Sequence, residues 1–302
     1  MLVNSALELI GNTPILKINK MVGENSGDVF VKLEKFNPGS SIKDRAALGM
    51  IEQAERDGIL KADSVIVEPT SGNTGIGIAL VGRLKGYKVV IVMPETMSKE
   101  RRDMIKAYGA ELILTEGKKG MKGAIEKAEE LVKEKGYFMP QQFENKANAQ
   151  KHYETTAEEI LKDIPDIDVF IAGVGSGGTI VGVGRKLKEL KPDIKVVAVE
   201  PEKSPVLAGG NPGAHKIQGI GAGFIPELYS ADDVDEIFEV SDEDSYKVAR
   251  NFASEEGVLI GISSGAALYV GMEIAKKLGK GKKIVVIAPD GGEKYFSSGL
   301  YD

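Results

Sequence analysis

Short runs of valine and isoleucine alternate along this chain with longer stretches of helical period, and few other patterns restrict a fold so tightly. Runs such as Val89–Met93 and Ile284–Ala288 are apolar at every position, as strands covered on both faces must be, while the intervening segments carry apolar residues three and four apart. Parallel strands joined by right-handed helical crossovers satisfy both features, so the fold class is α/β, with mostly parallel sheet flanked by helices. Strands are expected at Val29–Leu33, Val65–Glu68, Lys88–Met93, Glu111–Leu114, Val169–Gly173, Val196–Glu200 and Ile284–Ala288. Helices are expected at Lys43–Asp57, Thr74–Lys85, Lys99–Tyr108, Lys122–Lys135, Ala149–Leu161, Thr179–Leu190, Glu243–Glu256 and Gly265–Leu278.

At 302 residues the chain exceeds the roughly 100–200 residues of one domain, which favours two lobes. The polar stretch Gln141–Gln150 separates two series of strand and helix and is the expected boundary. Glu202–Ile225 is rich in glycine and proline, and a loop of that length is a candidate cover for a cleft.

Composition removes several functions. A net charge of −6 gives no basic face to displace counterions from a nucleic-acid backbone, and the local lysines of Lys118–Lys122 are expected to be solvated helix ends. With no cysteine there is no disulfide, no thiolate metal site and no thiol nucleophile. The two histidines, His152 and His215, are not spaced as a metal pair, so no metal site is expected, and His152 is read as structural, on a polar helix. No apolar run reaches the roughly 18 residues of a membrane span, and the start MLVNSALELIGNTP has no leader character, so the expected location is the cytoplasm.

Ligands of open α/β sheets bind where a strand ends and a helix begins, and three such loops stand out. Pro69–Gly75 (PTSGNTG) combines two glycines, three hydroxyls and an amide at a helix start; it suits an anion such as a carboxylate, and equally an ordinary N-cap and turn. Gly173–Thr179 (GVGSGGT) exposes backbone through four glycines before a helix, which suits a phosphate. Its glycines at 173, 175 and 178, with Glu200 ending the next strand, also spell a dinucleotide fingerprint, leaving a nicotinamide-dependent oxidoreductase open. The third loop, Ser40–Arg45 (SSIKDR), places Lys43 in the first turn of a helix, where the macrodipole disfavours a charged amine and so suits a lysine that forms a Schiff base. One lysine among 39 basic residues is otherwise a solvated surface group.

Those loops belong to a longer set of motifs: IGNTP (Ile10–Pro14), EKFNPGSSIKDRAA (Glu34–Ala47), EPTSGNTGIGIA (Glu68–Ala79), MPETMSKERR (Met93–Arg102), QQFEN (Gln141–Asn145), GVGSGGT (Gly173–Thr179), KIQGIGAGFIP (Lys216–Pro226) and GISSGAA (Gly261–Ala267). In this order they resemble the cysteine synthase (O-acetylserine sulfhydrylase) branch of the fold-type II pyridoxal phosphate enzymes, along nearly the whole chain. The resemblance implies the two-lobed fold of the tryptophan synthase β-subunit, with a smaller lobe at 42–147 and a larger one from 1–41 and 148–302.

It also implies roles. Lys43 would form the Schiff base with pyridoxal 5'-phosphate and serve as base for the substrate's Cα proton. Asn73 would meet the ring hydroxyl, Ser263 the pyridine nitrogen, and Gly175, Ser176, Gly177, Gly178 and Thr179 the phosphate. Thr70, Ser71, Thr74 and Gln142 would bind the substrate's α-carboxylate. The phosphate loop departs from the family's usual GTGGT in having Ser176, with no functional change expected, because glycines and backbone N–H groups dominate there. Ser263 also suits a helix N-cap ahead of Gly265.

The implied reaction is β-replacement, in which O-acetyl-L-serine loses acetate to give an α-aminoacrylate and sulfide adds to make L-cysteine. Cystathionine β-synthase and O-phosphoserine sulfhydrylase are alternatives within the same fold. A silent binding protein of this fold is disfavoured by its retention of Lys43, Asn73 and Ser263. A homodimer and a complex with serine acetyltransferase are further implications of the family.

Overall fold

The computed structural model describes residues 2–302. In chain order it contains β1 (Ile15–Lys17), β2 (Asp28–Leu33), α1 (Lys43–Arg56), β3 (Val65–Pro69), α2 (Asn73–Leu84), β4 (Lys88–Pro94), α3 (Lys99–Ala107), β5 (Glu111–Thr115) and α4 (Gly120–Lys135). There follow α5 (Lys146–Lys151), a π-helical turn at His152–Thr156, α6 (Ala157–Asp163), β6 (Val169–Gly173), α7 (Gly178–Leu190), β7 (Lys195–Pro201), β8 (Glu236–Val240), α8 (Asp242–Glu256), α9 (Ile262–Leu278) and β9 (Lys283–Ala288). All seven expected strands are present, within a residue or so of the expected ends.

Two compact units emerge. The first takes residues up to Ile10 and Asn37–Asn148; the second takes Gly11–Phe36 and Ala149–Asp302. Residues 2–10, 37–41 and Asn148, expected with the larger lobe, thus group with the first unit. Leu7 and Ile10 supply the reason for the N-terminal stretch, since both pack on that unit's core.

In the first unit β3, β4 and β5 form a parallel sheet in that order. Strand period 2 sends Val67, Val90 and Val92 to one face, where Ala124, Ala128 and Leu131 of α4 cover them. Ile66, Val89, Ile91 and Met93 face the other way, against Ile51 of α1, Ile76 and Val81 of α2, and Ile105 of α3. Both faces are dry, which explains the unbroken apolar spelling of β4. Burying each such side chain contributes about 1.5–3 kcal/mol.

The second unit holds a six-stranded sheet in the order β1-β2-β9-β6-β7-β8, parallel except where β1 pairs antiparallel with β2. Val29, Val31, Ile171, Val197 and Val286 form one inner face against α8 and α9. Glycine brings these helices close: a Cβ on Gly271 of α9 would stand 2.5 Å from Val286 Cγ2, and one on Gly265 would stand 2.1 Å from the Ser245 carbonyl oxygen of α8.

Strands β1 and β8 differ from the expectation, which placed none there. Each lies at a sheet edge and is only partly buried, so neither carries a continuous apolar run. The single helix expected at Ala149–Leu161 is instead α5, a π-turn and α6. The lysines of Lys118–Lys122 are exposed and lie at helix ends, as expected, where a short 3-10 turn runs into the start of α4.

Candidate active-site residues

Lys43 is the first residue of α1. Ser41 Oγ accepts its backbone N–H at 3.3 Å, and the buried Asp44 carboxylate accepts the N–H of Gly39 at 2.5 Å, closing the turn that delivers the lysine. Ser40 in that turn is left-handed, with φ +59°. On the other side, a Cβ at Gly77 of α2 would meet the Lys43 carbonyl oxygen at 2.8 Å, so only glycine lets α2 cross the start of α1 this closely. The Lys43 side chain is half-buried.

The loop between β3 and α2 carries Thr70, Ser71, Asn73 and Thr74. The first helical residue is Asn73, one earlier than expected, with Gly72 at the cap position. Thr70 Oγ1 accepts the Gly72 N–H at 3.4 Å, and Arg101 donates to the Ser71 carbonyl oxygen at 3.2 Å. Thr74 Oγ1 donates to Gln142 Oε1 at 2.6 Å, both side chains being buried. Two residues 68 apart in the sequence therefore form one polar pair within the first unit.

Beneath them lies Glu68, a residue whose role the sequence does not disclose. Its carboxylate accepts the backbone N–H groups of Gln141 at 3.1 Å and Gln142 at 3.3 Å. Burial pushes its pKa up to about 7, against the pull of those two hydrogen bonds. A charged residue ending an otherwise apolar strand, VIVEP, is the one sequence signal that points to it.

In the second unit, β6 ends at Gly173 and α7 begins at Gly178. The helix's first intrahelical bond runs from Val181 N to Gly177 O, so the N–H groups of residues 178–180 point out of its N-terminus. Gly177 has φ +84°, which a side chain rarely adopts, and its Cβ would stand 3.1 Å from Tyr229 N. A Cβ on Gly175 would stand 2.4 Å from the Gly219 carbonyl oxygen. A helix N-terminus reached through such a loop fits the phosphate of pyridoxal phosphate: exposed N–H groups meet the anion and the dipole favours its charge.

Ser263 lies close by in the same unit, its Oγ 3.6 Å from a Cβ position on Gly219. It occupies the first turn of α9, and the cap is Gly261; the N-cap role open to it from the sequence is therefore not the one it takes. Gly261 sits there because Asp290 crowds it, with Oδ1 only 1.9 Å from where a Cβ would stand.

His152, read from the sequence as structural, is buried on the π-helical turn. Its Nδ1 shares a hydrogen bond with Thr156 Oγ1 at 2.9 Å and its Nε2 one with Thr179 Oγ1 at 3.3 Å. The turn seats His152 against α7, where a Cβ on Gly182 would lie 2.9 Å from the histidine Cβ. Glu200, the acid of the dinucleotide reading, has both carboxylate oxygens accepting backbone N–H groups, from Leu207 at 2.8 Å and Ala208 at 3.0 Å. It anchors its own loop and does not project as a ribose ligand would. Among the described residues no group of acids and histidines is arranged to hold a metal, and no helix is long and apolar enough to cross a membrane.

The family model described as pyridoxal-phosphate dependent enzyme matches residues 6–290. A cysteine synthase of Staphylococcus aureus (strain Mu50 / ATCC 700699) is 56% identical over 301 residues, covering 99% of this chain and 97% of its own. Among solved structures, the cysteine synthase of Entamoeba histolytica has a TM-score of 0.95 at 46% identity, covering 100% of this chain and 91% of that one. A hydrogen sulfide-producing enzyme from Fusobacterium nucleatum has a TM-score of 0.94 at 51% identity, covering 98% of each chain.

Proposed function

Because the chain belongs to the family of pyridoxal-phosphate dependent enzymes, we propose that it makes L-cysteine from O-acetyl-L-serine and sulfide by β-replacement. The observation that carries this reading is its likeness to cysteine synthases over the full length of the chain. The Gln142 amide, whose oxygen accepts the Thr74 hydroxyl, supports it further, because its N–H groups are donors suited to an amino acid's carboxylate.

When bound, the cofactor supplies a conjugated ring that delocalises negative charge from the substrate's Cα. Lys43 would hold it covalently, and its Nζ, when free, would take the substrate's Cα proton. Acetate would leave Cβ, sulfide would add there, and Nζ would return the proton to Cα. Gly175, Ser176, Gly177, Gly178 and Thr179 bind the cofactor phosphate, chiefly through backbone N–H groups at the start of α7. Asn73 meets the ring hydroxyl. Ser263 would offer the ring nitrogen a neutral hydroxyl in place of a carboxylate, which would limit charge storage on the ring and favour prompt elimination. Thr70, Ser71, Thr74 and Gln142 hold the α-carboxylate and thereby orient the Cα proton. The same reading extends to a homodimer in the cytoplasm, with serine acetyltransferase as a partner.

The test is to supply O-acetyl-L-serine and sulfide to the holoenzyme while following the cofactor's visible absorbance and the L-cysteine formed. The absorbance is expected to change with O-acetyl-L-serine and return with sulfide, and Lys43→Ala should lose both the changes and the product. A protein that ignores O-acetyl-L-serine but turns over O-phospho-L-serine, or that uses homocysteine in preference to sulfide, would overturn the assignment.

A further inference from the structure

The side chains proposed to bind the carboxylate stand on backbone that has to be held in place, and the group that holds it is acidic. Glu68, 2% exposed at the carboxyl end of β3, directs its two oxygens at successive N–H groups, Oε2 at Gln141 and Oε1 at Gln142. Presenting two consecutive N–H groups to one carboxylate requires a sharp turn, and Gln141 makes it with φ +57°, in the left-handed region that glycine, not glutamine, favours. The next peptide is fixed from its other side, where Asn148 Nδ2 donates to the Gln142 carbonyl oxygen at 2.9 Å. From this clamped backbone the Gln142 side chain reaches Thr74, whose hydroxyl occupies Oε1. The amide nitrogen of Gln142 is thereby turned away from Thr74, with two donors to offer.

We propose that Glu68 is a positioning residue for substrate binding: its carboxylate holds the strained Gln141–Gln142 turn so that the Gln142 amide, its oxygen held by the Thr74 hydroxyl, turns its N–H groups to the substrate's α-carboxylate. The inference rests on the proposed role of Thr74 and Gln142 in carboxylate binding. Its chemistry is specific to a carboxylate. Glutamine at position 68 has one acceptor oxygen, so its NH2 group would oppose one of the two buried N–H groups and leave that donor unpaired. Aspartate keeps the charge, but its carboxylate is one methylene short of spanning both.

The experiment compares Glu68→Gln, Glu68→Asp, Gln142→Ala and the Glu68→Asp/Gln142→Ala double variant as holoenzymes. KM for O-acetyl-L-serine and kcat are measured, together with the Kd of L-serine, a substrate-like amino acid without the acetyl leaving group, from the cofactor's visible absorbance. Glu68→Gln is expected to raise both KM and the L-serine Kd about tenfold while kcat changes less than about threefold; Glu68→Asp should lie between it and the parent. In the Gln142→Ala background, Glu68→Asp should add no further loss, because coupled residues are not additive, whereas a merely structural defect would add in full. The double variant also decides the matter if Glu68→Gln does not fold. An unchanged KM and Kd in Gln142→Ala would overturn the carboxylate-binding role of Gln142, and the positioning role with it. A weakened Gln142→Ala beside an unaffected Glu68→Asp, or full additivity in the double variant, would overturn the role of Glu68 alone.

Discussion

The loop at Thr70–Thr74 and the loop at Gly175–Thr179 both follow a parallel strand and lead into a helix, yet they are built from different material. The first relies on side chains: Thr74 and Gln142 are oriented by each other and, through the backbone, by Glu68. The second relies on backbone: glycines at 175 and 177 let the chain approach Gly219 and Tyr229 ahead of the start of α7. A side-chain site depends on distant partners and on protonation, whereas a backbone site depends on the absence of Cβ atoms and tolerates change where a side chain points elsewhere. Substitutions should separate the two.

The largest effect is expected at Gly175. A valine there would drive its Cβ into the Gly219 carbonyl oxygen, so Gly175→Val should lose cofactor affinity by a factor of about 100 or more, on the order of 3 kcal/mol, measured by titrating the apoprotein with pyridoxal phosphate. An unaffected affinity would show that the backbone of the second loop is not what binds phosphate.

Next comes Glu68, through pH. Its folded pKa, about 7, lies above the ordinary carboxylate value of 4.5, so the folded state binds the extra proton in between. The stability linked to that proton is complete below about pH 4.5 and is lost as pH rises through 7, a change of about 3 kcal/mol. Urea midpoints of the parent, taken relative to Glu68→Gln, should therefore fall between about pH 5 and pH 8. A constant difference would mean that Glu68 is not held in a desolvated site.

Thr74→Val removes the hydroxyl but keeps the shape, and frees Gln142 Oε1 from its 2.6 Å bond. KM for O-acetyl-L-serine should rise about tenfold, roughly 1.4 kcal/mol, with cofactor affinity unchanged. A drop in cofactor affinity instead would blur the division of labour between the two loops. The smallest effect is expected from Ser176→Thr, which restores the family's usual spelling: cofactor affinity should change less than about threefold if backbone N–H groups do the binding. Loss of binding there would mean that the second loop also depends on its side chains.

The residues themselves spell out much of this architecture. The runs of β4, β6 and β9 are legible because strands buried on both faces have no polar position to interrupt them. The helix starts carrying Lys43 and Thr179 are legible from their turn formers; the roles proposed for Thr70, Ser71 and Thr74 draw on the composition of their loop and on resemblance to a family, and the role proposed for Gln142 on resemblance alone. Edge strands β1 and β8 are not legible, since partial burial leaves them a mixed composition. Nor is the π-turn at His152, whose sequence reads as ordinary polar helix until α7 packs against it.

By itself, then, the sequence determined the α/β class, the strand and helix order and which loops could bind anions, because hydrophobic period and turn chemistry act between residues near one another in the chain. Tertiary structure alone decided that Thr74 pairs with Gln142, that Glu68 clamps the turn beneath it, and that Gly175 and Ser263 both adjoin Gly219. Those contacts join segments tens of residues apart. Each exists only because sheet and helix packing, driven by burial of apolar surface, brings polar groups within hydrogen-bond reach where water cannot serve them.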